Sequence, residues 1–308
     1  MVRAGTENRF SALRLQEGRA IGMNYRHIKV NPDIGPTGAE VSGIDLSGAL
    51  HAETVAELRH AWLEHGVLFF REQALSPAAQ AAFGACFGEL DVYPFMQSLE
   101  SHPNVIPIIK EPDAKLNFGG GWHTDTSYLE YPPMATLLYA VEVPEEGGDT
   151  LFADAAAACA DLSDGMRRTL ESLTGIYSPK IVHGRGGAYA GMAAKSQLGS
   201  AYGGEAEVAE SEVEHPLVRT HPETGRKSIY CSKYHTHRIK GWTREESLPI
   251  FDFLMTHLTE EQYVTRFRWG PGSLAMWDNR RLFHYALNDY QGQRRHMHRV
   301  IVRGDRPQ

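Results

Sequence analysis

Apolar positions along the chain switch between helical and strand spacing. Between residues 51 and 66, Val55, Leu58, Ala61, Trp62 and His65 recur at helical spacing and predict an amphipathic helix. Val67-Leu68-Phe69-Phe70 follows at once, an apolar run of the length of a short buried strand. Ser76-Pro77 opens a second predicted helix. Serine is a favoured N-cap, and proline fits the first turn, where its missing N–H is not needed. That helix runs to about Phe87 and stops at Gly88.

From Pro132 onward strand patterns dominate. Ala135 to Val143 is apolar and β-compatible, Pro144 to Asp149 is a turn signal, and Thr150-Leu151-Phe152 starts another strand. Ser163 to Leu173 predicts a helix with Asp164 in its first turn. Strands resume at Leu217–Thr220 and Ser228–Cys231, and Glu245 to Leu258 predicts a helix. Arg266–Trp269 and Leu274–Trp277 read as strands joined by Gly270-Pro271-Gly272, and Met297 to Val302 as a last strand. Short strands punctuated by Gly and Pro turns predict a mainly β fold, a sandwich or jelly roll with flanking helices. Residues 183–213 are rich in Gly, Ala, Ser and Glu and lack periodicity. A stretch of that kind inside a domain predicts a lid, a binding loop or disorder.

Composition narrows the function. The chain has 308 residues, and 31 Lys and Arg against 38 Asp and Glu give a formal charge of −7. That argues against a nucleic-acid binder using a broad basic surface. No apolar run approaches the roughly 20 residues of a membrane span. The longest dense one, Leu137 to Val143, is strand-sized. Cys86, Cys159 and Cys231 are too few and too scattered for a disulfide framework, so a reducing cytoplasm is the expected compartment. The first residues contain arginines and no apolar core of a secretory signal. The expected organisation is an N-terminal extension over 1–24 and one domain over 25–308.

Two segments carry chemistry. In Gly119-Gly120-Gly121-Trp122-His123-Thr124-Asp125, an extended backbone would put His123 and Asp125 on one face, side by side. That pair can chelate a divalent metal but needs a third ligand. The second segment runs from Trp277-Asp278-Asn279-Arg280 to His284 and on to Arg294-Arg295-His296-Met297-His298-Arg299. With His284 as third ligand the set is two histidines and one carboxylate, an open facial site suited to non-haem Fe(II) and oxygen. A zinc hydrolase could use similar ligands. The arginines favour an oxygenase with a dicarboxylate co-substrate, because a guanidinium fork matches a carboxylate.

With these motifs the chain resembles the taurine/2,4-dichlorophenoxyacetate dioxygenase (TauD/TfdA) family of Fe(II)- and 2-oxoglutarate-dependent oxygenases. The likeness is carried by Trp122 to Asp125, Pro132-Pro133, Gly147-Gly148-Asp149-Thr150, Arg219-Thr220-His221-Pro222, Trp277 to Arg280, His284, Asp289-Tyr290 and Arg295 to Arg299. It runs from about residue 26 to 306. The resemblance implies a double-stranded β-helix (jelly-roll) core and iron held by His123, Asp125 and His284. It implies that Thr150 and Arg295 hold the distal carboxylate of 2-oxoglutarate, with O2 as the other co-substrate. It places Arg299 near the proximal carboxylate and the substrate's anionic group.

The chain departs from the taurine-cleaving pattern. A His-x-x-Tyr pair becomes Leu90-Asp91-Val92-Tyr93, and an Asn four residues before the first iron histidine becomes Gly119. His235 stands where an aromatic apolar residue is usual. The expected substrate is therefore a small anion other than taurine, with Arg299, Tyr93, His235 and the backbone near Thr126 as its polar contacts. Hydroxylation, desaturation and bond cleavage all remain open, and the presence of Asp125 argues against halogenation. The alternatives are a zinc-type metallohydrolase and a cupin-like binding protein that has lost turnover. No nucleic-acid or membrane partner is expected, and any self-association is expected to give a dimer or tetramer.

Overall fold

The computed structural model describes residues 25–93, 95–183 and 210–308. Most of the expected lid and the expected N-terminal extension lie outside the described residues. The first predicted helix is Ala52–His65, which buries Leu58, Ala61 and Trp62. It ends at Gly66, whose φ of 79° suits a residue without Cβ and whose N–H donates to Trp62 O. The second, Pro77–Ala85, is capped by the Ser76 side chain accepting from Ala79 N. It stops two residues short of Phe87, at a turn through Cys86.

Among the described residues the strands form four sheets, two of which face each other. In the larger, the order is Lys29–Asn31, Ala39–Ser42, Val67–Phe70, Leu274–Asp278, Ala135–Glu142, Arg295–Val302 and Leu90–Asp91, with Ile106–Lys110 also paired to Arg295–Val302. All of its pairings are antiparallel except Ala39–Ser42 with Val67–Phe70. The smaller sheet has Thr150–Asp154 between Val264–Phe267 and Leu282–Ala286. Gly270-Pro271-Gly272 therefore carries the chain from one sheet to the other instead of closing a hairpin. That crossing is the jelly-roll connection.

Side chains from both sheets fill the space between them. Phe69 of the large sheet stacks on Phe267 of the small one at 4.0 Å and meets Phe152 edge-on at 5.5 Å. Trp277, Leu138, Ala140 and Met297 complete this layer. The opposite face of the large sheet is covered by Leu58, Trp62, Phe83 and Phe87 from the two N-terminal helices and the turn after the second. A third apolar cluster joins Arg244–Leu258 to the alanine-rich helix Ala155–Asp161 and the small sheet Thr174–Tyr177, Val213–Pro216 and Thr236–Ile239. The jelly roll is thus rigid on both sides of its mouth, where the site lies.

Candidate metal and co-substrate site

His123 and His284 face each other across an isolated antiparallel bridge. His284 N donates to His123 O at 2.8 Å and His123 N to His284 O at 3.1 Å, so backbone bonding fixes both Cα positions. Asp125 does not continue an extended strand. The chain turns there, and Thr126 takes a left-handed φ of 43°. The carboxylate still ends beside the imidazoles, with Asp125 Oδ1 3.8 Å from both His123 Nε2 and His284 Nε2. Ligand atoms of the three residues lie within 4.8 Å of one another.

Polar contacts hold the ligands in orientation. His123 Nδ1 donates to Gly121 O at 2.6 Å, which leaves Nε2 with its lone pair toward Asp125. Asp125 Oδ2 accepts from Thr136 Oγ1 at 2.6 Å, and Thr136 Oγ1 accepts from Asn279 Nδ2 at 2.9 Å. Asn279 Oδ1 accepts from Trp277 Nε1 at 2.9 Å and from Asp125 N at 3.3 Å. The Trp-Asp-Asn-Arg motif therefore braces the carboxylate through Thr136. Its other members, Asp278 and Arg280, form a buried ion pair that also engages His221 and Glu223.

The electrostatics suit a cation. Burial pushes the His284 pKa down to about 3, and proximity to His123 adds to this. Burial also lowers that of His123. Both rings are thus neutral lone-pair donors at neutral pH. Burial alone would raise the Asp125 pKa, but Arg299, and then the two histidines, outweigh it and hold it well below the usual carboxylate range. Two neutral imidazoles and one carboxylate are a suitable donor set for Fe(II), with positions left open for other ligands.

Two cavities meet at His123 and Asp125. The inner one is lined by His123, Asp125, His284, Thr150, Trp277 and Arg295. Arg295 is buried there, and its Nε and Nη2 have no hydrogen-bond partner among the described residues. Its Cζ lies 5.7 Å from the Trp269 ring, and Trp269 Nε1 donates to Thr150 Oγ1 at 3.0 Å. Burial pulls the Arg295 pKa down, while Tyr290 and Asp149 oppose the shift. A buried guanidinium with unused N–H groups calls for an anion, so the residues fit a 2-oxo dicarboxylate reaching from the metal to Arg295.

The outer cavity, about 310 Å³, shares His123, Asp125 and Arg299 with the inner one. Tyr93, Thr126 and His235, expected from the sequence, all line it. His235 is buried, its Nδ1 lies 2.9 Å from Ser127 Oγ, and its ring meets His123 edge-on at 5.7 Å. Leu90 lies instead in the large sheet opposite Val302, packed against the helix side. Arg299 has a partner the sequence did not point to: its Nη2 is 3.2 Å from Asp125 Oδ1. Tyr128, His183, Tyr234 and Tyr285 also line the cavity and were not anticipated.

A family model described as "Taurine catabolism dioxygenase TauD, TfdA family" matches residues 29–301. The chain belongs to the TauD/TfdA family. An alkylsulfatase of Acinetobacter baylyi is 32% identical over 272 residues, 88% of this chain and 83% of that protein. An alpha-ketoglutarate-dependent sulfate ester dioxygenase of Pseudomonas putida is 33% identical, with 91% of each chain covered. The crystal structure of a taurine dioxygenase from Burkholderia xenovorans superposes with a TM-score of 0.75 at 34% identity, covering 92% of this chain and 93% of that one. This TauD/TfdA protein is accordingly an Fe(II)- and 2-oxoglutarate-dependent dioxygenase with a jelly-roll core, and the hydrolase and inactive-binder alternatives fall away. Among the described residues, no helix is long and apolar enough to cross a membrane.

Proposed function

We propose that this dioxygenase oxidises a C–H bond of a small organic anion, of the sulfate-ester or sulfonate kind, bound in the outer cavity. In this reading His123, Asp125 and His284 hold the iron. Arg295 and Thr150 take the distal carboxylate of 2-oxoglutarate, and Arg299 faces the substrate's anionic group. When bound, Fe(II), 2-oxoglutarate and O2 supply the oxidising chemistry, with succinate and CO2 as products. The chain's own part is positioning and electrostatics. The bridge between His123 and His284 sets two ligands, and Thr136 and Asn279 orient the third.

One observation carries the proposal: His123 and Asp125 line both the cavity that holds Thr150 and Arg295 and the wider one that holds Tyr93, Thr126 and His235, with Arg299 on the wall of each. This supports a second anion contact at Arg299 beside the one at Arg295. The names of the relatives, an alkylsulfatase and a sulfate ester dioxygenase, support the choice of anion. Gly119 and Leu90 leave out side chains an aminosulfonate would use, so taurine is expected to be a poor substrate. Hexyl sulfate, hexanesulfonate, hexanoate and taurine should be compared by substrate-coupled succinate release. Faster release with the first two than with taurine is expected. A neutral alkane or an amine without an acidic group as best substrate would overturn the assignment.

A further inference from the structure

The turn after Asp125 gathers three polar side chains on the wall of the outer cavity. Arg299, Thr126 and His235 all line that cavity. Arg299 Nη2 meets Asp125 Oδ1 at 3.2 Å, and Arg299 Nε has no hydrogen-bond partner among the described residues. Thr126 comes next in the chain. It is 4% exposed, and its Oγ1 has no hydrogen-bond partner among the described residues. Ser127 follows, with Oγ 2.9 Å from His235 Nδ1. Consecutive residues thus join the group together: Asp125 touches Arg299, Thr126 supplies a hydroxyl, and Ser127 holds His235.

The backbone supports a use for the hydroxyl. Thr126 has a φ of 43°, a left-handed value that a β-branched residue rarely adopts. Such strain persists where the surrounding structure fixes it, and it collects at binding and catalytic sites. A buried hydroxyl without a partner adds a second cost. A ligand oxygen accepting from Thr126 Oγ1 removes that second cost.

Proton accounting gives His235 its direction. Ser127 is buried, and its Oγ has no partner other than His235 Nδ1 among the described residues. Donation from Oγ to Nδ1 uses the hydroxyl proton. The reverse donation would leave that proton without an acceptor in a buried site. A ring that accepts at Nδ1 carries its own proton on Nε2. Nε2 lies on the far side of the ring from Ser127 and makes no hydrogen bond among the described residues. Edge contacts with Tyr128 at 4.8 Å and His123 at 5.7 Å hold the ring plane. His235 therefore presents a fixed N–H donor instead of a lone pair.

We infer that Thr126 Oγ1 and His235 Nε2 donate to oxygens of the substrate's anionic head group beside Arg299, and that Ser127 is the positioning residue that fixes His235 as a donor. The head group that fits is an oxyanion, whose oxygens accept from all three side chains. An ammonium in its place would meet a guanidinium and an N–H. The inference rests on the outer cavity being the substrate site.

The test uses hexyl sulfate and hexanesulfonate with the full-length protein, Fe(II) and 2-oxoglutarate. Substrate-coupled succinate release gives KM and kcat, and anaerobic calorimetry gives 2-oxoglutarate affinity. Thr126→Val keeps the shape and branching and removes the hydroxyl; Thr126→Ser keeps the hydroxyl. His235→Asn keeps an amide toward Ser127 and removes the cavity donor; His235→Gln places an amide N–H near the Nε2 position. Thr126→Val and His235→Asn should each raise KM about ten-fold or more, as for one hydrogen bond to a charged group, with 2-oxoglutarate affinity at its wild-type value. Thr126→Ser and His235→Gln should recover most of that loss. Ser127→Ala should raise KM as well, and an unchanged KM there would remove Ser127 from the inference. Histidine nitrogen NMR of the Zn(II)-loaded protein, with His235 assigned by its loss in His235→Gln, should show the proton on Nε2. A bare Nε2 in that spectrum would overturn the inference and leave the substrate site standing. So would turnover of hexyl sulfate with KM unchanged in both Thr126→Val and His235→Asn. No turnover of either probe by the wild-type protein would overturn the substrate-site reading itself. If His235→Asn does not fold, Thr126→Val and the spectrum decide.

Discussion

Thr136→Val isolates the bracing of the metal carboxylate from the metal ligands themselves. Thr136 is fully buried, and valine matches its shape, so the change exchanges a hydroxyl for a methyl without opening a cavity. Two interactions are lost. One is the 2.6 Å donation to Asp125 Oδ2, a bond to a charged acceptor worth about 1.5–3 kcal/mol. The other is the 2.9 Å bond from Asn279 Nδ2, whose buried N–H then costs about 1–3 kcal/mol unpaired. The two share one hydroxyl and are not independent, so a combined loss of about 2–4 kcal/mol in stability is expected. Asp125 also loses the donor that fixes its rotation, leaving Arg299 at 3.2 Å as the stronger pull on Oδ1. Metal affinity should fall about 10–100-fold, the usual effect of removing such a partner. Denaturant unfolding of the metal-free protein gives the first quantity, and titration with Co(II) or anaerobic Fe(II) gives the second. Lowered stability with metal affinity within two-fold of wild type would refute the idea that Thr136 orients the ligand.

Three further outcomes are expected. His123→Ala, Asp125→Ala and His284→Ala should each abolish succinate formation and metal binding; near-normal turnover in any one would remove that residue from the metal set. Arg295→Ala should weaken 2-oxoglutarate binding by about 2–5 kcal/mol, as when one partner of a buried charge pair is truncated, and Thr150→Val should weaken it less; equal, small effects in calorimetry would count against this division. Burial pushes both His183 and His215 down to about 4, so the folded state refuses protons that the unfolded state takes up below about 6.5. Their contribution is complete above pH 6.5 and is lost as pH falls toward 4, at up to about 1.4 kcal/mol per pH unit for each histidine. Urea midpoints that do not change between pH 6.5 and 4.5 would contradict it.

The clustering of His123, Asp125 and His284 was legible because they lie in two short motifs whose order is distinctive. The strands were legible because Val67–Phe70 is buried throughout and wholly apolar, and Ala135–Ala140 is buried and apolar save for Thr136. The helix Ala155–Asp161 was missed. Its residues are almost all alanine, which gives no polar face to reveal a period. Its remaining signal was Asp154, whose side chain accepts from Ala156 N and Ala157 N as an N-cap. The outer cavity was legible only at its motif-borne side. Tyr93 was anticipated, but Tyr128 and His183 join it only through packing around Phe95, which no local pattern encodes. The pairing of Arg299 with Asp125 was hidden for the same reason. The His-x-Asp spacing gave the right neighbours for a wrong local reason, since the backbone turns at Asp125 instead of running extended.

The backbone bridge between positions 123 and 284 also bears on how the protein assembles. Its two halves are far apart in the chain, and the second lies on Leu282–Ala286, which pairs with Thr150–Asp154. Contacts of such sequence separation are slow to form, because the intervening chain must first be brought into place. During refolding, capture of a coloured metal such as Co(II) should therefore lag behind helix formation and report the moment of ring closure. A metal that binds the closed form alone also holds it closed by mass action. The same ion that equips the enzyme for oxidation would then also latch a long-range contact of its fold.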